Sequence, residues 1–409
     1  MSEVVIVGAG IVGLACAYNL LQDGHRVTIV DRDPDGDRAS HGNAGGIAVP
    51  EIVPASGPGL WARVPGWLID PLGPLSIRPS HLPKLLPWLH RFLRSGSPRS
   101  VEAGAAALAA LNARVYDDLT PMLDAIALAG DLNRVGALCV YESEAGLARD
   151  PPEWDLRARL GVAFTRISGE QARAAEPALG PRVKCAIELP TWSHVSDPRR
   201  IVAALGDWAR SRGAAIVAGE AIDIDAANVV TSQGRRVPFE ACVIAAGAWS
   251  AALAKRVGDR ALIESERGYN ATLPEPGVAL SREIIFAERK FVATPLASGL
   301  RIGGAAEFAG LDAPANFRRS EALLALARLY LPGLRSEGAA AWMGQRPATP
   351  DSLPIIGRSP SRRNILYACG HGHLGLRQAA TTGSLIADLV GERAPPIDMT
   401  PYSIARFQS

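Results

Sequence analysis

Apolar and polar positions fall into blocks whose period changes several times along the chain. The first block, Val4-Val5-Ile6-Val7, is a continuous apolar run of strand length that ends in Gly8-Ala9-Gly10. A mostly apolar, helix-length stretch follows, from Ile11 to about Leu21. A second run, Val27-Thr28-Ile29-Val30, is then closed by Asp31. Strand, glycine turn, helix and strand in this order predict a βαβ unit with buried strands. Short runs of the same kind recur at Ala137–Tyr141, Ala214–Val217, Val229–Val230, Ala241–Ala248 and Ile365–Cys369.

Helical patterns separate these runs. One or more helices are predicted in 101–130, with Ala and Leu around Tyr116, and another from Pro198 to about Arg212. Asp197 caps the latter, and proline at its first position suits a helix start. Further helices are expected near 319–330 and from about Gly375 to Val390, and several strands within 262–345. Between 50 and 100 the pattern breaks up. Trp61, Trp67 and Trp88 stand among Pro65, Pro71, Pro74, Pro79, Pro83 and Pro87, where short helices are expected. No internal repeat is visible.

Composition narrows the class. A chain of 409 residues with 48% hydrophobic and 21% charged side chains has the makeup of a globular protein large enough for two domains. Its 43 basic and 41 acidic side chains nearly cancel, which argues against a general affinity for nucleic acid. Cys16, Cys139, Cys185, Cys242 and Cys369 are scattered, odd in number and free of any CxxC spacing. Neither a disulfide framework nor a metal site is expected, and reduced thiols point to the cytoplasm. Residues 4–21 are apolar, yet their glycines and the lack of a basic leader favour a buried strand and helix over a membrane span.

The glycine turn carries the first chemistry. Gly8 permits the tight exit from the strand, Gly10 lets a pyrophosphate approach the backbone, and Gly13 allows the helix to pack closely on the sheet. The helix N-terminus offers unpaired N–H groups to phosphates. Asp31, 18 residues beyond Gly13, stands where a carboxylate accepts from ribose hydroxyls. The whole context marks a dinucleotide site. Ser40-His41-Gly42-Asn43-Ala44-Gly45-Gly46-Ile47 is a second glycine-rich segment, either close to a ligand or simply a long turn.

Four motifs follow the fingerprint in order. They are Val243-Ile244-Ala245-Ala246-Gly247-Ala248-Trp249, Gly344-Gln345-Arg346-Pro347 through Asp351, Pro354-Ile355-Ile356-Gly357, and Gly370-His371-Gly372-His373-Leu374-Gly375. Together with Ser40-x-x-Asn43-Ala44-Gly45, they resemble the FAD-dependent D-amino-acid oxidase superfamily, especially its bacterial D-amino-acid dehydrogenase branch. The resemblance runs from residue 3 to Phe407. It implies an α/β fold with a discontinuous, glutathione-reductase-like FAD-binding domain of Rossmann type and an α+β substrate domain on a mixed sheet. The expected division is 1–50, 196–256 and 346–409 for FAD, and 51–195 with 257–345 for substrate.

The resemblance also implies roles, carried over position by position. Gly8, Gly10, Ile11, Val12 and Gly13 would hold the pyrophosphate, with Asp31 and Arg32 at the adenosine side. Ser40, Asn43, Ala44, Gly45, Gly46 and Ile47 would run beside the isoalloxazine, and Gly247 near the adenine half. Leu374, Gly375 and Leu376 would open the last helix toward flavin N1 and O2, where a helix N-terminus stabilises negative charge by roughly 0.3–2 kcal/mol. Arg346 would anchor the substrate carboxylate, for which the planar guanidinium is better suited than lysine. The alternative is a structural arginine paired with Asp351 or a backbone carbonyl. His373 and Tyr269 would stand near substrate, while His371 is structural.

No catalytic side chain is implied, since flavin N5 accepts the hydride. Where this branch often has threonine, the chain has Arg377, expected to face solvent. Thr191–Asp197 is similar to relatives acting on D-proline or D-hydroxyproline. FAD is expected to be noncovalent, and the electrons to pass to a non-oxygen acceptor, a quinone being one option. Peripheral contact with the inner face of a membrane through 60–95 is an option beside buried substrate-domain helices. A glycine- or sarcosine-type amine oxidase, a 2-hydroxy-acid dehydrogenase, or a flavin subunit of a larger complex are the open alternatives.

Overall fold

In the computed structural model, which describes residues 1–57, 64, 66–68, 70 and 73–408, the first strand is Glu3–Val7, the helix Ile11–Gln22 and the second strand Arg26–Asp31. Trp61, Pro65 and Pro71 lie outside the described residues. Glu3–Val7 sits in the middle of a six-stranded sheet, flanked by Arg26–Asp31 and Ala241–Ile244. Ala215–Ala218 extends one side; Ile365–Cys369 and then Ile355–Arg358 extend the other. All pairings are parallel except the last. Buried on both faces, these strands read as unbroken apolar runs in the sequence.

Two glycines allow the helices to lie close on this sheet. A Cβ on Gly13 would come within 2.0 Å of the Gly8 carbonyl oxygen, so the first helix rests directly on the strand's exit. The last helix, Gly375–Val390, crosses the first, and a Cβ on Gly383 would lie 2.4 Å from the Ala15 carbonyl oxygen. The helix Pro198–Ser211 begins as expected, with the Asp197 carboxylate accepting from the Arg199 N–H.

The second large sheet has nine strands among the described residues and is mixed. Its long antiparallel strands, Glu264–Leu273, Gly299–Phe308 and Ala340–Ala348, form one end; Phe291–Leu296, Glu283–Phe286, Ala137–Tyr141, Cys185–Leu189 and Thr165–Ser168 continue it. Leu75–Ile77 adds in parallel to Gly299–Phe308. The helix Arg318–Tyr330 covers one face of this sheet, with Leu323, Leu326 and Tyr330 against Tyr269, Leu273 and Phe286. Ala340–Ala348 runs through the expected boundary at 345–346, so Arg346 belongs to the mixed sheet, opposite Glu266.

The proline-rich stretch yields a longer helix than expected, Leu82–Ser95, with Trp88 buried and its indole N–H donating to the Ala348 carbonyl. All five cysteines are buried with free thiols, and no helix among the described residues is long and apolar enough to cross a membrane. Since the two central helices touch backbone to backbone, Gly383→Val should destabilise the protein by about 1–3 kcal/mol through overpacking. A lower chemical-denaturation midpoint at an unchanged slope would show it.

Candidate functional site

The ends of the two glycine-packed helices open into one cavity of ≈1570 Å³ between the two large sheets. Gly375 lies beside Val12, so both helix N-termini meet at its wall. Unpaired first-turn N–H groups there give the wall a positive end of two dipoles. Gly8, at φ +113, turns the chain where any Cβ would strike the Ala245 oxygen at 2.5 Å. A Cβ on Gly10 would project beside only the Ser40 hydroxyl, 3.6 Å away. Ser40 Oγ itself accepts from the Ile11 N–H.

Asp31 stands at the end of its strand, accepting from the Ala9 N–H at 2.6 Å and from the Asp33 N–H. Arg32 lies flat over the Trp249 ring, 3.6 Å from its centroid. Gly247 takes φ +55 with open space where a Cβ would stand. Gly8, Gly10, Ile11, Val12, Asp31, Arg32, Ser40, Asn43, Ala44, Gly46, Gly247, Leu374, Gly375 and Leu376 all line the cavity. Gly13, Gly45 and Ile47 do not: Gly13 serves helix packing, Gly45 backs onto Leu296, and Ile47 is in the core.

The segment 38–51 crosses the cavity with few backbone partners of its own, and arginines hold its carbonyl groups. Arg301 donates to the His41 and Asn43 oxygens, and Arg38 to the Ala9 oxygen and to oxygens of its own turn. Arg377 donates to the Ala48 and Glu51 oxygens. Arg377 does not face solvent, as its sequence position suggested. It is 1% exposed, and burial pushes its guanidinium down to about 10. His371 is likewise buried, bonded to the Thr382 hydroxyl and held neutral by burial.

Arg346, Glu266 and His373 share the other wall. Arg346 Nη1 donates to Glu266 Oε1 at 2.8 Å and to the Ala305 oxygen at 3.3 Å, and Nη2 approaches the Gly304 oxygen at 3.5 Å. Asp351, the alternative partner, is instead taken by Arg406. Gly268 makes room for the guanidinium, since a Cβ there would lie 2.2 Å from Arg346 Cζ. His373 is open to the cavity and otherwise enclosed by protein; burial lowers its pKa, with Glu266 pulling the other way.

Tyr269 is also among the residues lining the cavity, but its hydroxyl is engaged elsewhere. Its hydroxyl donates to Glu307 at 2.5 Å and accepts from the Asn316 N–H, and its ring packs in the helix-covered core. Along the strand it alternates with Glu266, Gly268 and Asn270, so it points away from the face they present.

Several cavity residues were not foreseen. Glu266 and Glu283 were hidden in strands, and Trp342 only becomes meaningful when its ring fills the space over Gly42 and Gly344. The period-two grouping of Glu266 with Gly268 was the one available signal. Glu283 is 2% exposed, accepts from the Trp192 indole at 2.8 Å, and lies where a Cβ on Gly46 would be 2.4 Å away. Burial pushes this carboxyl up to about 7 against the lowering effect of Trp192.

Comparison with known proteins agrees with this architecture. The family described as FAD dependent oxidoreductase (DAO) matches residues 3–389. A D-amino-acid oxidase of Bradyrhizobium diazoefficiens is 37% identical, covering 99% of both chains. A D-amino acid dehydrogenase 2 of Ralstonia nicotianae is 32% identical over 99% of this chain and 100% of its own. Among solved structures, glycine oxidase from Geobacillus kaustophilus superposes with a TM-score of 0.77 at 24% identity, covering 99% of this chain and 98% of that one. The chain belongs to the FAD-dependent oxidoreductase family, and FAD is its cofactor. The cavity suits that group: it has bare backbone at Gly8 and Gly10, two helix N-termini and a carboxylate at Asp31.

Glu283 gives this site a pH signature. Its native pKa, about 7, exceeds the ordinary 4.5, so the folded state binds its proton more tightly than the unfolded state does. Its contribution is therefore complete below the ordinary value and is lost as pH rises through 7, by at most about 1.4 kcal/mol per pH unit. The stability difference between wild type and Glu283→Gln, followed by denaturation from pH 5 to 8, should shift steadily against the wild type.

Proposed function

We propose that this protein oxidises a D-amino acid, with D-proline or D-hydroxyproline as the preferred class, and passes the electrons to a non-oxygen acceptor such as a quinone. The observation that carries the reading is the guanidinium of Arg346 on the cavity wall. Among the described residues its Nε–H meets no acceptor and Nη2 meets only the Gly304 oxygen at 3.5 Å, leaving the edge that grips a carboxylate with two parallel hydrogen bonds. The names of the relatives, D-amino-acid oxidase and D-amino acid dehydrogenase, support the substrate class.

In this reading, Gly8, Gly10, Ile11 and Val12 at the start of the first helix would hold the pyrophosphate of a noncovalent FAD, with Asp31 on the ribose and Arg32 and Gly247 toward the adenine half. Ser40, Asn43, Ala44 and Gly46 would run beside the isoalloxazine, and the backbone at 374–376 would direct the last helix at its N1 and O2 edge. FAD-binding residues then come from 1–50, 196–256 and the chain beyond Ala348. What FAD supplies is the hydride acceptor, N5. Arg346 fixes the substrate by its carboxylate and so sets which Cα hydrogen faces that atom. The apolar wall strips water from the amine and favours its neutral form, from which hydride leaves. His373 lines the same cavity, and desolvation there disfavours its charged form.

Anaerobic addition of D-proline, D-hydroxyproline and D-alanine should bleach the flavin band, and L-amino acids should not. A band bleached by none of them would end this reading. Arg346→Ala should raise KM about a hundredfold, the loss of roughly 3 kcal/mol from a charge-assisted contact, with FAD still bound. Wild-type kinetics in that variant would remove Arg346 from the site. Photoreduced protein mixed with oxygen should reoxidise far more slowly than with a soluble quinone; the reverse order would mark an oxidase.

A further inference from the structure

Arg346 does not stand alone in the cavity. Glu266 lies directly opposite it across two antiparallel strands, and the two side chains meet at 2.8 Å. Both line the cavity, each about a quarter exposed to it, at 26% for Arg346 and 23% for Glu266. The contact uses one oxygen of Glu266 and one nitrogen of Arg346. Among the described residues, Glu266 Oε2 has no donor, and the Nε–Nη2 edge of Arg346 has no acceptor at Nε. A free acceptor and a free donor edge, one formally negative and the other positive, stand side by side on one wall.

The geometry points to Glu266 as the residue that binds the substrate's amino nitrogen, so that the Arg346–Glu266 pair is a receptor for a zwitterionic head group. This rests on the function proposed above and extends it to the second charge of the substrate. Arginine alone accepts any carboxylate. With Glu266 beside it the wall is neutral overall, and an incoming simple carboxylate meets a fixed negative charge with nothing to offset it. An amino acid brings its own ammonium to Glu266 and its carboxylate to Arg346, and both charges stay paired in a site shielded from water. The ammonium gives up one proton to solvent through the open cavity before the Cα hydride leaves for flavin N5; the nitrogen then becomes a cationic iminium, and the Glu266 carboxylate that held the ammonium faces that charge. His373 stands at the same corner, where the surrounding protein lowers its pKa and Glu266 pulls the other way.

Gly268 fits the same purpose. Two residues along the strand from Glu266, it leaves room for the guanidinium to lie beside the carboxylate rather than being pushed away from it.

The test compares each amino acid with the acid in which carbon replaces nitrogen, using the FAD-loaded protein. D-proline is paired with cyclopentanecarboxylate, and D-alanine with isobutyrate. Amino-acid affinity is read from anaerobic bleaching, and the acids from the perturbation of the flavin spectrum they cause. Wild type should bind the amino acid at least thirtyfold more tightly than its carbon analogue. Glu266→Gln should weaken the amino acid tenfold or more and leave the analogue unchanged or tighter. Glu266→Asp, which keeps the charge, should retain the preference. Equal affinities in wild type, or parallel losses for both ligands in Glu266→Gln, would reduce Glu266 to a strut for Arg346 and overturn the inference. A wild-type flavin that no amino acid bleaches would instead overturn the function itself, and this inference with it.

Discussion

Backbone contact between the two central helices is the constraint on which the rest of the structure depends. Gly13 lets the first helix rest on the carbonyl of Gly8, and Gly383 lets the last helix rest on the carbonyl of Ala15. Side chains at either position would lift the helices apart. With them in place, residues 350 or more positions apart in sequence, Val12 and Gly375, become neighbours and two helix N-termini converge on one wall. Unpaired N–H groups from both then face the same space, which is what a dinucleotide with an electron-rich ring requires.

The segment between Arg38 and Glu51 has the opposite character. It crosses the interior with little regular pairing, yet its carbonyl groups cannot be left without donors. Arginines from distant elements supply them: Arg301 from the mixed sheet, Arg377 from the last helix and Arg157 from a helix of the intervening region. Each such bond is a charge-assisted one, worth about 1.5–3 kcal/mol. The segment is thereby tied to the mixed sheet and to two helices at once. Glu283 and Trp192 press on it from the other side.

How much of this could be read in the chain follows from what makes each feature. The βαβ unit, the helix after Asp197 and the helix from Gly375 were legible because local pattern and caps dictate them. The order of motifs made the FAD family legible too. Arg377 was misread as a solvent-facing residue, since nothing local says that a helix face will meet carbonyls more than 300 residues earlier in the chain. The direction of the Tyr269 hydroxyl was not legible, because a strand's two faces are symmetric until a helix covers one of them. Glu266 passed unnoticed for the same reason, as one acid among many on an alternating strand.

The sequence by itself thus determined the nucleotide fold, the glycine turn and the family. Those rest on short-range sterics: where a Cβ is forbidden, where a helix must start, which runs are apolar on both sides. Only the tertiary structure decided which charges share the cavity. Arg346 meets Glu266 and not Asp351 because strand register places them opposite each other, and Asp351 goes to Arg406 from the chain's far end. Pairing of that kind depends on distances in space, and charge in a linear sequence carries no record of them.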